Sequence, residues 1–342
     1  MRIRVLPCLL FAATLAGCTD GDDGGHVDDV EMGRLFSAAW EEQSAGLEVA
    51  ANCSGVVVPD RGPFDRVVAL TFDDGPNPQT TPLVLSTLRS YGIPATFFIN
   101  GTRVNGDAAE AIVSDVASDP DLILGNHTWS HPNMTGLSPE AAAVQIDDNT
   151  SVLVDAGEPD RFFRFPYGAA NCDLTAAVAD RGYAVTGWHV DSADWCFSSP
   201  PVGVCPESEF EHVDDDLRDD MVGWVMRQVD SRQGGIILFH DIHAYTASQL
   251  GVVIERLLEE GYSFTSIDDA SVFPLLNGQP PPTARTTANL NLRTGPGTQH
   301  SILLVMPLGS VVTLVAGPTG GWYQVNYNGT IGWASATYLE LL

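Results

Sequence analysis

Five short stretches carry the residues whose types and spacing could do chemistry. "TFDDGP" (71–76) sets Asp73 beside Asp74 where an apolar run stops, and "HTWSHP" (127–132) places His127 and His131 four apart. "RFPYG" (164–168) carries Arg164 and Tyr167, "DSADW" (191–195) carries Asp191, Asp194 and Trp195, and "LFHD" (238–241) carries Leu238, His240 and Asp241. Two adjacent carboxylates raise each other's pKa unless something cationic sits beside them, so the pair implies either an exposed acidic turn or a site. Asp-Gly and Gly-Pro are ordinary turn chemistry and leave the first reading open. A divalent cation would account for the aspartates and histidines together: it stabilises both carboxylates as anions, so that one binds the ion while its neighbour serves as a base toward water. Neutral imidazoles with one carboxylate leave coordination positions open for water and substrate, as a catalytic ion requires. Taken singly, Arg164 reads equally well as a structural ion-pair partner, Trp195 as core packing and His240 as a satisfied buried histidine. Those readings leave unexplained why all fall at the ends of consecutive apolar runs.

The elements that must position them follow from the apolar pattern between residues 67 and 267. Seven strand candidates, "RVVALTF", "ATFFIN", "LILGN", "FFRFP", "AVTGWHV", "GIILFH" and "SFTSID", alternate with helical periodicity, which is the pattern of βα units around a parallel sheet or barrel. Ser138-Pro139 marks a helix start, Asp173 an N-cap, and Gly92, Gly182 and Gly261 follow helix stops. Seven strands imply a distorted (β/α)7 barrel, in which the chemistry sits on loops at the carboxyl ends of strands.

The remainder of the 342 residues divides by texture. Residues 1–17 read as a signal peptide, with Arg2 and Arg4 before an apolar stretch too short to span a membrane. Leu15-Ala16-Gly17-Cys18 resembles a bacterial lipobox, which makes Cys18 a lipidation site and a lipid the chain's only membrane attachment; a plain secretory peptide is the alternative. Residues 18–52 form an acidic, glycine-rich tether with a short helix over 31–50. Residues 53–275 hold the βα region, 276–286 a proline-rich linker, and 287–342 short β-rich runs that make a small all-β barrel. An exported chain is oxidised, and Cys53, Cys172, Cys196 and Cys205 remain after the leader. The short loop "FSSPPVGV" pairs Cys196 with Cys205, leaving Cys53 for Cys172. The net charge of −28 argues against a nucleic-acid partner. It is concentrated at −31 over 19–283, against +1 over 284–342.

In order and spacing the five stretches resemble the motif set of the polysaccharide deacetylases of carbohydrate esterase family four, over roughly residues 65–270. The resemblance implies a distorted (β/α) barrel and metal-dependent removal of acetyl groups, usually from a hexosamine polymer. Carried over by position, it implies Asp73 as general base and Asp74, His127 and His131 as ligands of one divalent ion, zinc first, with cobalt, nickel or manganese possible. Arg164 would orient Asp73, the backbone N–H of Tyr167 would stabilise the oxyanion, and His240 would be the general acid tuned by Asp194. Tyr167, Trp195 and Leu238 would contact the substrate. Residues 288–342 are similar to bacterial SH3-type domains, which implies a cell-wall peptide as a second partner; Trp322 and Tyr323 would offer contact area, with Trp333 read as core. Peptidoglycan in the cell envelope is the expected substrate. Chitin oligomers, O-acetyl xylan, or a non-catalytic wall-binding role are the alternatives, the last opposed by the fact that no catalytic position of the motif set is lost.

Overall fold

The computed structural model describes residues 53–342 except 63, 158–160, 280 and 281. The expectations for the signal peptide, Cys18, the tether and its helix therefore lie outside the described residues.

Eight parallel strands build the first sheet: β1 (Val67–Asp73), β2 (Ala95–Ile99), β3 (Leu122–Asn126), β4 (Phe162–Phe163), β5 (Ala184–Val185), β6 (Val190–Asp191), β7 (Gly234–His240) and β8 (Ser263–Phe264). Their order is β5-β4-β3-β2-β1-β7-β6, with β8 pairing the start of β1. β1, β2 and β7 are buried almost throughout, as apolar runs must be when both faces are covered. The layer over them is α1 (Thr81–Tyr91), α2 (Asp107–Ala117), α3 (Pro139–Ala156), α4 (Cys172–Ala179), α5 (Asp194–Ser198), α6 (Met221–Arg232) and α7 (Ala244–Glu259).

The helix ends are set by local chemistry. Ser138 caps α3 by accepting from the Ala141 N–H with Pro139 at its first position, and Gly92 ends α1 in the left-handed conformation. The expected cap at Asp173 moves by two: Asn171 accepts from the Leu174 N–H and Asp173 lies inside the first turn.

The fifth strand candidate, "AVTGWHV", divides. Its first half pairs with β4, where the Thr186 N–H continues the ladder onto the Phe163 carbonyl; its second half pairs with β7, where the His189 N–H donates to the Ile236 carbonyl. One run of chain thus crosses from one end of the sheet order to the other. The ladder fails between because the Thr186 and Gly187 carbonyls are taken by the Arg164 side chain.

The second sheet is antiparallel, β9 (Thr283–Thr286), β10 (Leu290–Arg293), β11 (Ile302–Met306), β12 (Val311–Thr319), β13 (Trp322–Tyr327), β14 (Thr330–Ser335) and β15 (Leu339–Leu341), in the order β11-β10-β14-β13-β12-β9-β15. β9 falls inside the stretch read as linker, because Ala284 and Thr286 alternate inward against the barrel core. That core is aliphatic, including Leu292, Met306, Val312 and Val325; Tyr323 packs against it, while Trp333 is only half-buried and is not one of its members.

The disulfides Cys53–Cys172 and Cys196–Cys205 are both formed, with Cα–Cα distances of 4.6 and 5.1 Å.

Candidate active site

β1 and β7 are in register, with Asp73 beside His240 at their carboxyl ends. Beyond β1 the chain turns through Asp74 at φ 75°, and beyond β3 it turns through Thr128 at 72° and His131 at 57°. Tyr167 (58°) and Ala193 (54°) complete a ring of non-glycine residues held in the left-handed region around one cleft. Such conformations persist only where the surroundings over-determine them. The cleft is lined by Asp73, His127, His131, Phe165, Tyr167, Trp188, Leu238 and His240.

On one wall, ligand atoms of Asp74, His127 and His131 lie within 4.8 Å of one another. His127 Nδ1 is 2.8 Å from the Arg164 carbonyl oxygen, which can only accept, so Nδ1 carries the proton. The lone pair of Nε2 then faces Asp73 Oδ2 at 3.6 Å and Asp74 Oδ1 at 3.4 Å. His131 Nε2 is 3.1 Å from the same Asp74 oxygen, and that buried oxygen has no hydrogen-bond partner. Acceptors facing one another in a buried place want a cation between them, so this donor set fits a divalent ion. Burial pushes His131 down to about 4, against the pull of Asp74, leaving the imidazole neutral as a ligand must be. Burial also pushes Asp74 up, but the surrounding imidazoles, His131 first, more than offset this and hold it well below the usual carboxylate range.

Behind this wall Arg164 is fully buried. It donates to Asp73 Oδ1 at 2.7 Å and Thr71 Oγ1 at 2.9 Å, and its other nitrogens donate to the Thr186 and Gly187 carbonyls at 3.0 and 2.9 Å. The guanidinium lies 4.2 Å over the Phe98 ring. Asp73 is thereby held at one oxygen and presents the other to the cleft.

On the opposite wall Asp194, fully buried at the start of α5, accepts from His240 Nδ1 at 2.8 Å, from the His240 backbone N–H at 2.7 Å and from Thr246 Oγ1 at 2.6 Å. Burial opposes charge on His240, yet Asp194 overcomes it, with help from Asp74 and Asp73, and pushes the imidazole up to about 10. His240 is therefore a cation at neutral pH. Burial pushes the neighbouring carboxyls Asp191 and Asp241 up to about 6 and about 7, which reduces the negative charge they bring to the site.

The profile of polysaccharide deacetylases matches residues 60–186, and that of bacterial SH3 domains matches 288–340. The chitooligosaccharide deacetylase of Rhizobium leguminosarum bv. trifolii is 30% identical over 232 residues, spanning 64% of this chain and 97% of the relative. The chain belongs to the polysaccharide deacetylase family. The peptidoglycan-N-acetylmuramic acid deacetylase PdaC of Bacillus subtilis is 33% identical over 206 residues, 60% of this chain and 38% of that protein. The chain thus spans about two fifths of the length of this relative and of the peptidoglycan-N-acetylglucosamine deacetylase PgdA of Listeria monocytogenes. A carbohydrate esterase family 4 pseudoenzyme from Bacillus anthracis superposes with a TM-score of 0.50 at 24% identity, covering 61% of this chain and 66% of that one, a likeness of fold alone.

Within this deacetylase fold, every residue expected to do chemistry converges on the cleft or supports one that does. Trp195 departs from expectation: it is buried on α5 against Phe210, ring centroids 5.3 Å apart, and does not line the cleft. The indole that does is Trp188, joined by Phe165. Both were missed, because an apolar residue within a buried strand run carries no mark of which face it serves. Thr246, the hydroxyl that fixes Asp194, was also missed, since a helix-borne threonine has no pattern of its own.

Proposed function

We propose that the protein hydrolyses N-acetyl groups from a cell-envelope polysaccharide, peptidoglycan in the first instance, using one divalent ion, zinc ahead of cobalt, nickel or manganese. The single observation that carries this is the disposition of two opposite proton carriers across one cleft: an anion held by Arg164 on the metal-ligand side and a cation held by Asp194 on the other.

Asp74, His127 and His131 would hold the ion, whose chemistry when bound is Lewis acidity toward the acetyl carbonyl and toward water. Asp73 takes the proton of the attacking water at the oxygen that Arg164 leaves open. The Tyr167 N–H, turned by its left-handed backbone, stabilises charge on the carbonyl oxygen. His240 delivers its proton to the departing amine, and Asp194 keeps it charged until then. Tyr167 and Leu238, with Phe165 and Trp188, form the walls against which the acetyl group rests.

The full-length match to a chitooligosaccharide deacetylase favours chitin oligomers as the second reading. Export and a lipid anchor at Cys18 suit a wall substrate, and two formed disulfides suit an oxidising compartment. The C-terminal barrel would hold the enzyme on wall peptide, with Trp322 and Trp333 half-buried at its surface. Acetate release from purified peptidoglycan, N-acetylated chitin oligomers and acetylated xylan, each with defined metals, tests the assignment. Robust release from xylan with none from peptidoglycan would reverse the order of substrates.

A further inference from the structure

The chain before β1 is more than a lead-in. Cys53 is bonded to Cys172 at the start of α4, and the Asp60 carboxylate accepts from the Leu275 and Leu276 N–H groups, each at 2.9 Å, so a strap over 53–60 is tied at both ends. Between the ties it lies across the place where "AVTGWHV" passes from β5 to β6. At that crossing the Thr186 N–H belongs to β4, the His189 N–H to β7, and the Trp188 N–H to the strap, through the Val56 carbonyl at 3.2 Å. His189 adds a bond from its ring Nε2 to the Asp60 carbonyl at 2.7 Å.

Val56 is buried, and the strap is in contact with two parts of the site. A Cβ at Gly168 would lie 2.2 Å from Val56 Cγ1, and one at Gly187 would lie 2.0 Å from the Val56 carbonyl oxygen. From the strap's side, a Cβ at Gly55 would lie 2.5 Å from the Gly168 carbonyl oxygen. Gly168 ends the turn that carries Tyr167, and Gly187 supplies a carbonyl to Arg164. None of these glycines could carry a side chain without displacing the strap or the turn, so the two backbones pack directly against each other.

We propose that the strap, through Val56 and the Cys53–Cys172 tie, is a positioning element of the reaction: it holds the Tyr167–Gly168 turn and the carbonyl cradle of Arg164. This rests on the deacetylase reading of the cleft. The strap reaches the metal ligands through these two groups, the Arg164 carbonyl that holds His127 and the Tyr167 ring 4.6 Å from that of His131, so its loss falls first on turnover and less on metal binding.

The test compares the native full-length protein, metal-loaded, with Cys53→Ser/Cys172→Ser, Val56→Ala and Val56→Thr. Acetate release from an N-acetylated chitin oligomer gives kcat and KM, amide hydrogen exchange reports Gly168 and Ala169, and chelator competition gives metal affinity. The double variant is expected to lose about tenfold or more in kcat, in line with the cost of a small misplacement of positioned groups. Its KM should stay within about twofold, with faster exchange at the two amides and a change in metal affinity smaller than the change in kcat. Val56→Ala should show the same split to a lesser degree, and Val56→Thr, which keeps the branched shape but buries a hydroxyl, should fall between Val56→Ala and the native protein. If the double variant does not fold, Val56→Ala decides. Native kcat and native exchange in the variants would overturn the proposal. If no protein releases acetate, the native one included, the deacetylase reading fails; unchanged exchange at Gly168 and Ala169 then refutes the strap, and accelerated exchange sustains it.

Discussion

The two walls of the cleft each hold a histidine that has lost most of its hydration, yet they give the two opposite character. His131 is pushed down to about 4 and His240 up to about 10. Burial opposes charge on both, so burial cannot be what separates them. The carboxylates are. Asp194 is fixed by a backbone N–H, a threonine hydroxyl and the His240 Nδ1 itself, and so spends its charge on that one imidazole. Asp74 is shared between His127 and His131, with its inner oxygen given no hydrogen bond. His189 serves as a third case: buried and bonded to backbone groups, it is pushed down to about 4 because burial outweighs the Asp60 carbonyl, the one bond that favours the cation. What makes a buried histidine an acid rather than a ligand is a carboxylate committed to it alone.

The largest effect that would break this comparison comes from Asp73, the proposed base on the metal-ligand side. Asp73→Asn should lower kcat for acetate release by about 10²–10⁴-fold. It also leaves Arg164 buried without its anion, for a destabilisation of about 3–5 kcal/mol, measurable by urea unfolding. Native turnover in this variant would remove Asp73 from the mechanism.

Next in size is Asp194→Asn, which strips His240 of the partner that raises it while burial remains. The alkaline limb of the kcat/KM profile, set in the native protein by a His240 that Asp194 holds above the ordinary imidazole value of 6.5, should move below that value, with a loss of about 10²-fold at pH 8. A limb that stays in place would mean that His240 is not the acid.

Smaller, and readable without substrate, is the pH dependence of the metal-free protein's stability. The folded His131 value lies below its unfolded 6.5, so stability falls as the pH drops from 6.5 toward 4, by up to about 3 kcal/mol. His240 has the opposite sign: its contribution is complete below 6.5 and disappears as the pH climbs through about 10. Urea titrations across this range should show the acid limb flattened in His131→Gln and the alkaline limb flattened in Asp194→Asn. If each variant instead flattened the other's limb, the assignment of the two walls would be reversed.

The smallest effect lies outside both walls. Trp322→Ala/Trp333→Ala in the second barrel should reduce retention on insoluble wall material by less than about tenfold, an interface loss of order 1 kcal/mol. The kcat on soluble chitin oligomers should not change. A fall in soluble turnover would show that the barrel takes part in catalysis.

How much of this was legible in the chain differs residue by residue. Asp73, Asp74, His127, Arg164, Asp194 and His240 stand out because each is a polar residue at the end of an apolar run, where core packing offers no reason for it. Trp188 and Phe165 do not, since on a buried strand the cleft side and the core side are equally apolar. Trp195 is the reverse case: it sits in the motif, but the single turn of α5 buries it on Phe210. The division of "AVTGWHV" could not be read locally either, because it depends on Arg164 capturing carbonyls more than twenty residues away. β9 was hidden by the prolines just before it, although the Ala284 and Thr286 alternation was present.

The proposed function requires that one divalent ion, held by Asp74, His127 and His131, enable Asp73 to activate water against an N-acetyl group. Acetate release from purified peptidoglycan, followed before chelation, after chelation and after zinc is restored, tests this, with Asp73→Asn in parallel. Release should stop with the chelator, return with zinc and be lost from the variant throughout. Release that continues without metal, or that survives in Asp73→Asn, would contradict it.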